Sequence, residues 1–324
     1  MGGPGWRAGD RGYPGADPMA VTATARTAQL PLPGGGKPGA TVAVEPLLGG
    51  EVTVPPAMFE RSGGPRPLEL LRWLGIGIPK SNWWTVPVPA FLIHHPAAGP
   101  VLVDTGLHPS IAAKPSENLG GLAARFASPG FGPEGDVPSQ LRARGIDHRD
   151  LGTVIMTHLH LDHASGISEF PGATFVLSAA EWDAATTVRP PFLHGYIHKH
   201  FDHLFDYRTI DYTRRGEVAS YASFGRTVDL FGDGSIRLAF SPGHTLGHQS
   251  VICRLRDRDF VIAGDSIYPM AQLEGGPEPP APEDRHTWRR SLRELKRFHE
   301  SFPDAVIVPG HDPRTWPELD ERYE

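Results

Sequence analysis

One cysteine in 324 residues, Cys253, excludes an internal disulfide framework. It sits in Ser250-Val251-Ile252-Cys253-Arg254-Leu255, a packed-strand pattern that predicts a structural thiol and not a nucleophile. An excess of basic charge is missing too: 31 Lys and Arg face 37 Asp and Glu, for a net charge of −6 and a pI near 6.2. No broad positive field can form, which excludes a nucleic-acid partner but admits a neutral or acidic small substrate. The first forty or so residues hold no apolar run long enough for a signal-peptide core or a membrane span. Rich in Gly, Pro, Ala, Thr and Arg, residues 1–40 are expected to be disordered, and the chain is expected to be cytoplasmic with no membrane contact.

What is present is enough to fold. Hydrophobic residues make up 39% of the chain, so residues 41–324 can bury the core of one large domain. Thr41–Val44 and Glu51–Val54 read as strands, and Val86–His94 followed by Pro100–Gly106 reads as a hairpin. A short helix is expected over Ser139–Ile146. Ser178-Ala179-Ala180-Glu181 is a capping-box pattern that starts another after the strand Thr174–Leu177. Trp288, Leu292, Leu295 and Phe298 recur at helical spacing in an Arg/Glu-rich segment near the end. Two aromatic stretches stand apart. Leu68–Leu74 with Trp83 and Trp84 is expected either to wall a pocket or to pack in the core or a dimer contact. Residues 190–225, with His194, His198, His200 and His203 among Phe192, Tyr196, Phe201, Phe205, Tyr207, Tyr212 and Tyr221, read as an insertion over the mouth of a site.

The apolar run Val154-Ile155-Met156 ends in Thr157-His158-Leu159-His160-Leu161-Asp162-His163, which packs three imidazoles and one carboxylate into six positions. A solvated loop is more usually built from Ser, Gly and Asn, and imidazole with carboxylate is a donor set for zinc-like ions. Further donors follow other strand-like runs at Gly- or Pro-rich turns. These are His244 in Pro242-Gly243-His244-Thr245-Leu246-Gly247-His248, Asp265 after Phe260–Gly264, and His311 after Val306–Gly310. One site built from strand ends is the simplest reading, with His248 structural and Asp104, in Asp104-Thr105-Gly106, orienting a ligand histidine from behind.

The ordered set of an HxHxDH loop, a Gly-His, an Asp after a strand and a C-terminal Gly-His resembles the metallo-β-lactamase superfamily over roughly residues 85–313. That resemblance implies an α/β fold, the αβ/βα four-layer sandwich, and a dinuclear hydrolase. His158, His160 and His244 would hold one divalent ion, Asp162, His163 and His311 the other, and Asp265 would bridge them. Zinc is the expected metal, with iron, manganese and cobalt as alternatives. Two dications about 3.5–4 Å apart repel strongly, and a bridging carboxylate and hydroxide relieve that repulsion while the hydroxide serves as nucleophile.

Where cysteine-ligated β-lactamases carry their Cys, this chain has Asp265, and the basic arm of the transfer-RNA-processing members is missing. Pro242-Gly243-His244-Thr245-Leu246-Gly247-His248-Gln249 and a Tyr three residues after Asp265 are most similar to N-acyl homoserine lactonases, the quorum-quenching enzymes. By that resemblance the substrate is a small lactone or ester. Tyr268 would donate a hydrogen bond to charge developing on the substrate oxygen, worth roughly a few kcal/mol, and Asp162 would shuttle the proton as well as ligating. Homodimers are common in that family. The alternative activity is that of a general ester, thioester or phosphodiester hydrolase.

Overall fold

A computed structural model describes residues 20–61, 63–121, 124 and 128–324. Its strands are β1 (Ala25–Thr27), β2 (Ala43–Val54), β3 (Trp84–His95), β4 (Gly99–Val103), β5 (Ser128–Gly130), β6 (Thr153–Ile155), β7 (Thr174–Ser178), β8 (Asp206–Ile210), β9 (Ala219–Tyr221), β10 (Phe224–Asp229), β11 (Ile236–Phe240), β12 (Gln249–Arg254), β13 (Asp259–Gly264) and β14 (Val306–Pro309). Among the described residues they form an eight-stranded sheet, ordered β1-β8-β7-β6-β4-β3-β2-β5, and a six-stranded sheet, ordered β14-β13-β12-β11-β10-β9.

Side-chain alternation explains the layers. Phe91 and Ile93 of β3 point with Val103, Ile155 and Val176 toward Val251, Cys253, Phe260 and Ile262 of the other sheet, forming the central core. Ala90 and Leu92, one position out of phase, face outward and are covered by Leu141, Ala164, Ile167 and Ala185 from helices on that side. On the far side Ile252, Val261 and Ala263 pack under Leu295 and Phe298 of the helix Arg285–Ser301. Strands buried on both faces read as continuous apolar runs, which is why β3 and β13 look as they do in the sequence. The result is the expected αβ/βα four-layer sandwich. Cys253 lies in the central core, where burial pushes its thiol up. No helix among the described residues is long and apolar enough to cross a membrane.

Three boundaries differ from expectation. Residues 1–19 lie outside the described residues, but 20–40 are not disordered: β1 pairs in parallel with β8, Ala28 is buried, and Gly36 N–H donates to buried Asp233. A segment with few large apolar residues can still dock by backbone pairing. The two expected strands are one, β2, which starts at Ala43 and runs through Glu51–Val54 with an irregularity between Leu48 and Glu51; Thr41 and Val42 precede it. Residues 190–225 are only partly an insertion. Pro191–His200 forms two turns against the His160 loop, whereas β8 joins the first sheet and β9 and β10 the second.

Strand direction places the site. β4 and β6 run parallel, as do β13 and β14, so Asp104, Thr157, Asp265 and Gly310 leave four strands at one edge of the sandwich. β12 is antiparallel to β13, so its start brings His248 to that same edge. Gln249 stitches the sheets together there: its N–H donates to Thr157 O (3.0 Å) and its amide to Met156 O (2.9 Å).

Candidate metal centre

All seven donor side chains converge at this edge. His158, His160 and His244 form one group, His158, His163 and Asp265 a second, and Asp162, His163 and His311 a third, each with its donor atoms within 4.8 Å of one another. Asp265 lies centrally, its Oδ2 3.3 Å from both His244 Nε2 and His311 Nε2 and its Oδ1 3.4 Å from His163 Nε2. His311 Nε2 is also 3.3 Å from Asp162 Oδ2.

The ring orientations are set from behind. His163 Nδ1 meets Asp104 Oδ2 at 2.8 Å, His311 Nδ1 meets Pro87 O at 2.7 Å, and His158 Nδ1 meets Thr157 Oγ1 at 3.0 Å. His244 Nδ1 meets Tyr268 Oη at 2.8 Å. Each of these four imidazoles therefore keeps Nε2 free to face inward, the arrangement a ligating histidine needs. His160 turns the other way, with Nδ1 2.9 Å from His244 Nε2 and its Nε2 edge packed on Gly195. Gly195, at φ +79°, is required there because a Cβ would lie 2.6–2.8 Å from that ring. Asp104 performs the orienting role expected of it, and it also receives Thr157 N–H and Oγ1–H, both at 2.7 Å. His248 accepts Asp265 N–H through Nε2 (3.0 Å) and contacts Ser241 Oγ through Nδ1, which fits a structural residue.

Electrostatics point the same way. Burial pushes His158, His160 and His244 down, keeping them neutral with lone pairs available. Burial opposes ionisation of Asp265 and Asp162, yet the surrounding imidazoles outweigh it and hold both carboxyls low. Burial likewise opposes charge on His311, but Asp265 and Asp162 raise it to about 10. The buried Asp265 and the half-buried Asp162 thus demand positive charge. His163 Nε2 and Asp265 Oδ1, facing each other, are buried with no hydrogen-bond partner, so the donor set fits divalent cations better than it satisfies itself.

One side chain at the centre was misassigned from sequence. Ser178 does cap the helix Ala179–Thr187, its hydroxyl accepting Ala180 N–H. Glu181, expected to complete the capping box, instead turns inward and is fully buried, accepting Leu159 N–H (2.9 Å), Tyr196 Oη–H (3.1 Å) and Thr245 Oγ1–H (2.6 Å). Burial pushes its carboxyl up, and these donors with Gly247 N–H pull it back. Among the described residues the four histidines of the 190–225 stretch join no donor cluster: His198 and His200 reach the carbonyls of Ala185 and Asn118, His194 pairs with Glu283, and His203 stacks on Phe205.

Beside His311 a cavity of about 510 Å³ opens, lined by Phe59, Trp83, Trp84 and Met270 together with the charged Glu60, Glu274, Asp312 and Arg314. Trp83 and Trp84 therefore wall a pocket as one reading foresaw, whereas Leu70 and Leu71 of the helix Arg66–Trp73 are exposed. Tyr268 stands at the edge of the site with Phe59 packed edge-on against it.

The sequence profile of the metallo-beta-lactamase superfamily matches residues 83–311, a span that includes every side chain of the cluster. The chain belongs to this superfamily. Among its relatives is the N-acyl homoserine lactonase AttM of Agrobacterium fabrum, 32% identical over 72% of this chain and 84% of the relative. A probable metallo-hydrolase of Mycobacterium tuberculosis is 28% identical over 66% and 71%. Solved structures with the same fold include an N-acyl homoserine lactone hydrolase with N-hexanoyl-L-homoserine bound at its catalytic metal centre. It has a TM-score of 0.67 and 20% identity and covers 87% of this chain and 97% of the other. A dizinc quorum-quenching lactonase, AidC, superposes with a TM-score of 0.52 at 17% identity over 88% and 92%. The seven donors all lie inside the matched span, in groups that could hold metal ions.

Proposed function

We propose that this chain is a dizinc lactonase that opens the ring of N-acyl homoserine lactones, with His158, His160 and His244 holding one ion, Asp162, His163 and His311 the other, and Asp265 shared. The observation that carries the reading is the pairing of this donor set with the Tyr268 phenol, which meets His244 Nδ1 at 2.8 Å and packs beside Phe59 and His311, two residues that line the Trp-walled cavity. When bound, the two ions supply an activated water as nucleophile and an electrophilic partner for the carbonyl oxygen.

The chain's own residues do the rest. His244, ligating through Nε2, carries its proton on Nδ1 and donates it to Tyr268 Oη, which leaves the phenol hydrogen free for the substrate oxygen. Burial, with Asp265 and Asp162, pushes the phenol well up, so it remains a donor. Asp162, partly open to solvent, is placed to accept the proton released on attack and pass it to the leaving alkoxide. Phe59, Trp83, Trp84 and Met270 offer an apolar surface for the acyl chain and exclude water from it. We place this reaction in the cytoplasm, since a single buried thiol has no need of an oxidising compartment.

The test is a substrate panel: an N-acyl homoserine lactone, a thioester and bis-p-nitrophenyl phosphate, each with zinc-loaded and chelator-stripped protein. Lactone opening yields a free acid, so a pH indicator should report proton release that stops on stripping and returns with zinc. Activity confined to the diester would overturn the proposal. Tyr268→Phe should lower kcat for the lactone on the order of 10²-fold while zinc content stays unchanged; an undiminished kcat would remove the phenol from the mechanism.

A further inference from the structure

The three histidines of the first group sit on two separate loops, and both loops are tied to one carboxylate. Leu159, whose N–H meets Glu181 Oε1, lies between His158 and His160. Thr245, whose hydroxyl meets Oε2, follows His244 directly. Tyr196, whose phenol also meets Oε1, packs on the His160 ring at a centroid distance of 5.2 Å and bridges to it through the backbone. Gly247 presses on the backbone of Ala180 and Glu181, so the helix start and the His244 loop are in direct contact. On the other side of the centre Asp104 holds His163 and Pro87 O holds His311; Asp104 also reaches His158 through Thr157, but it touches neither His160 nor His244.

We infer that Glu181 is the positioning residue of the first metal group, one buried carboxylate that sets His158, His160 and His244 in mutual register and does not act on the group formed by Asp162, His163 and His311. The inference rests on the dinuclear reading above. Glu181 touches neither substrate nor ion. It acts because an acceptor-only group with donors on three elements has a single low-energy arrangement of all of them. Replacing one oxygen by an amide removes an acceptor and the charge: at Oε1 it would leave Leu159 N–H facing another donor, and at Oε2 it would oblige the Thr245 hydroxyl to turn from donor to acceptor, which loosens the tie between the two loops.

The experiment compares the full chain with Glu181→Gln by cobalt(II) titration against a competing chelator, following the d–d spectrum and the stoichiometry. Wild type should bind two ions. The variant should bind one with wild-type affinity and the other about 10–100-fold more weakly, with an altered spectrum for the weaker ion alone. Thr245→Val, which removes one contact at nearly constant volume, should weaken the same ion by less and serves if Glu181→Gln does not fold. Equal affinities for both ions in the variants, or equal losses at both, would overturn the inference and leave Glu181 a general packing residue. A wild type that binds fewer than two ions would instead overturn the dinuclear reading.

Discussion

Asp265→Asn is expected to cost at least about 10²–10³-fold in kcat/KM, and to lower bound zinc from two ions per chain to one or fewer. The carboxylate lies within 3.4 Å of His163, His244 and His311, and among the described residues it is the only acidic group facing all three at these distances. Removing one partner of a buried, compensated charge arrangement costs about 3–5 kcal/mol, and each 1.4 kcal/mol is about tenfold in rate. The isosteric amide keeps the volume and the contact with Gly310, so near-wild-type circular dichroism should accompany the loss. Steady-state kinetics with metal analysis by mass spectrometry decides the matter. Full activity with two zinc ions retained would show that Asp265 is not shared between the groups.

The largest stability effect is expected at Gly247. A Cβ there would fall 1.9 Å from Glu181 N and 2.3 Å from Glu181 Cα, and both are backbone atoms of a capped helix start that cannot rotate away. Overpacking in a core costs about 1–3 kcal/mol when side chains can adjust; here only backbone can move, so Gly247→Ala should lose about 3 kcal/mol or more. Gly152→Ala, where a Cβ meets nothing within 4 Å, should stay within about 0.5 kcal/mol. Urea unfolding of the two metal-free variants beside wild type checks both values. Comparable midpoints for all three would mean that the His244 loop can yield without cost.

Much of this protein was legible before any coordinates, for a definite reason. Metal donors cluster in chain order at strand ends, and strand ends announce themselves by apolar runs stopping at Gly or Pro, so His158 through His163, Asp265 and His311 could be placed on one edge. The four-layer sandwich was implied by the resemblance that the ordered motifs carry, and the continuous apolar runs of β3 and β13 agree with strands buried on both faces. Less legible was anything that depends on partners remote in the chain. The capping-box reading of Glu181 used only its neighbours, but its hydrogen-bond partners lie 22 and 64 positions away on other loops. The stretch 190–225 looked like one insertion because its aromatic residues share no clear period, and nothing local says that β8 pairs with β7 while β10 pairs with β11. Residues 20–40 looked unstructured because backbone pairing with a distant strand leaves little mark on composition.

The amino-acid order alone therefore determined the donor chemistry and the reaction class it permits, since residue type and spacing are properties of the chain itself, while the layered architecture was implied by the family resemblance those motifs carry. Tertiary structure decided which nitrogen of each imidazole faces inward, that the Tyr268 phenol rests on His244, and that Glu181 joins the loops of the first group. Those are outcomes of packing, in which a side chain's direction is set by atoms far along the chain.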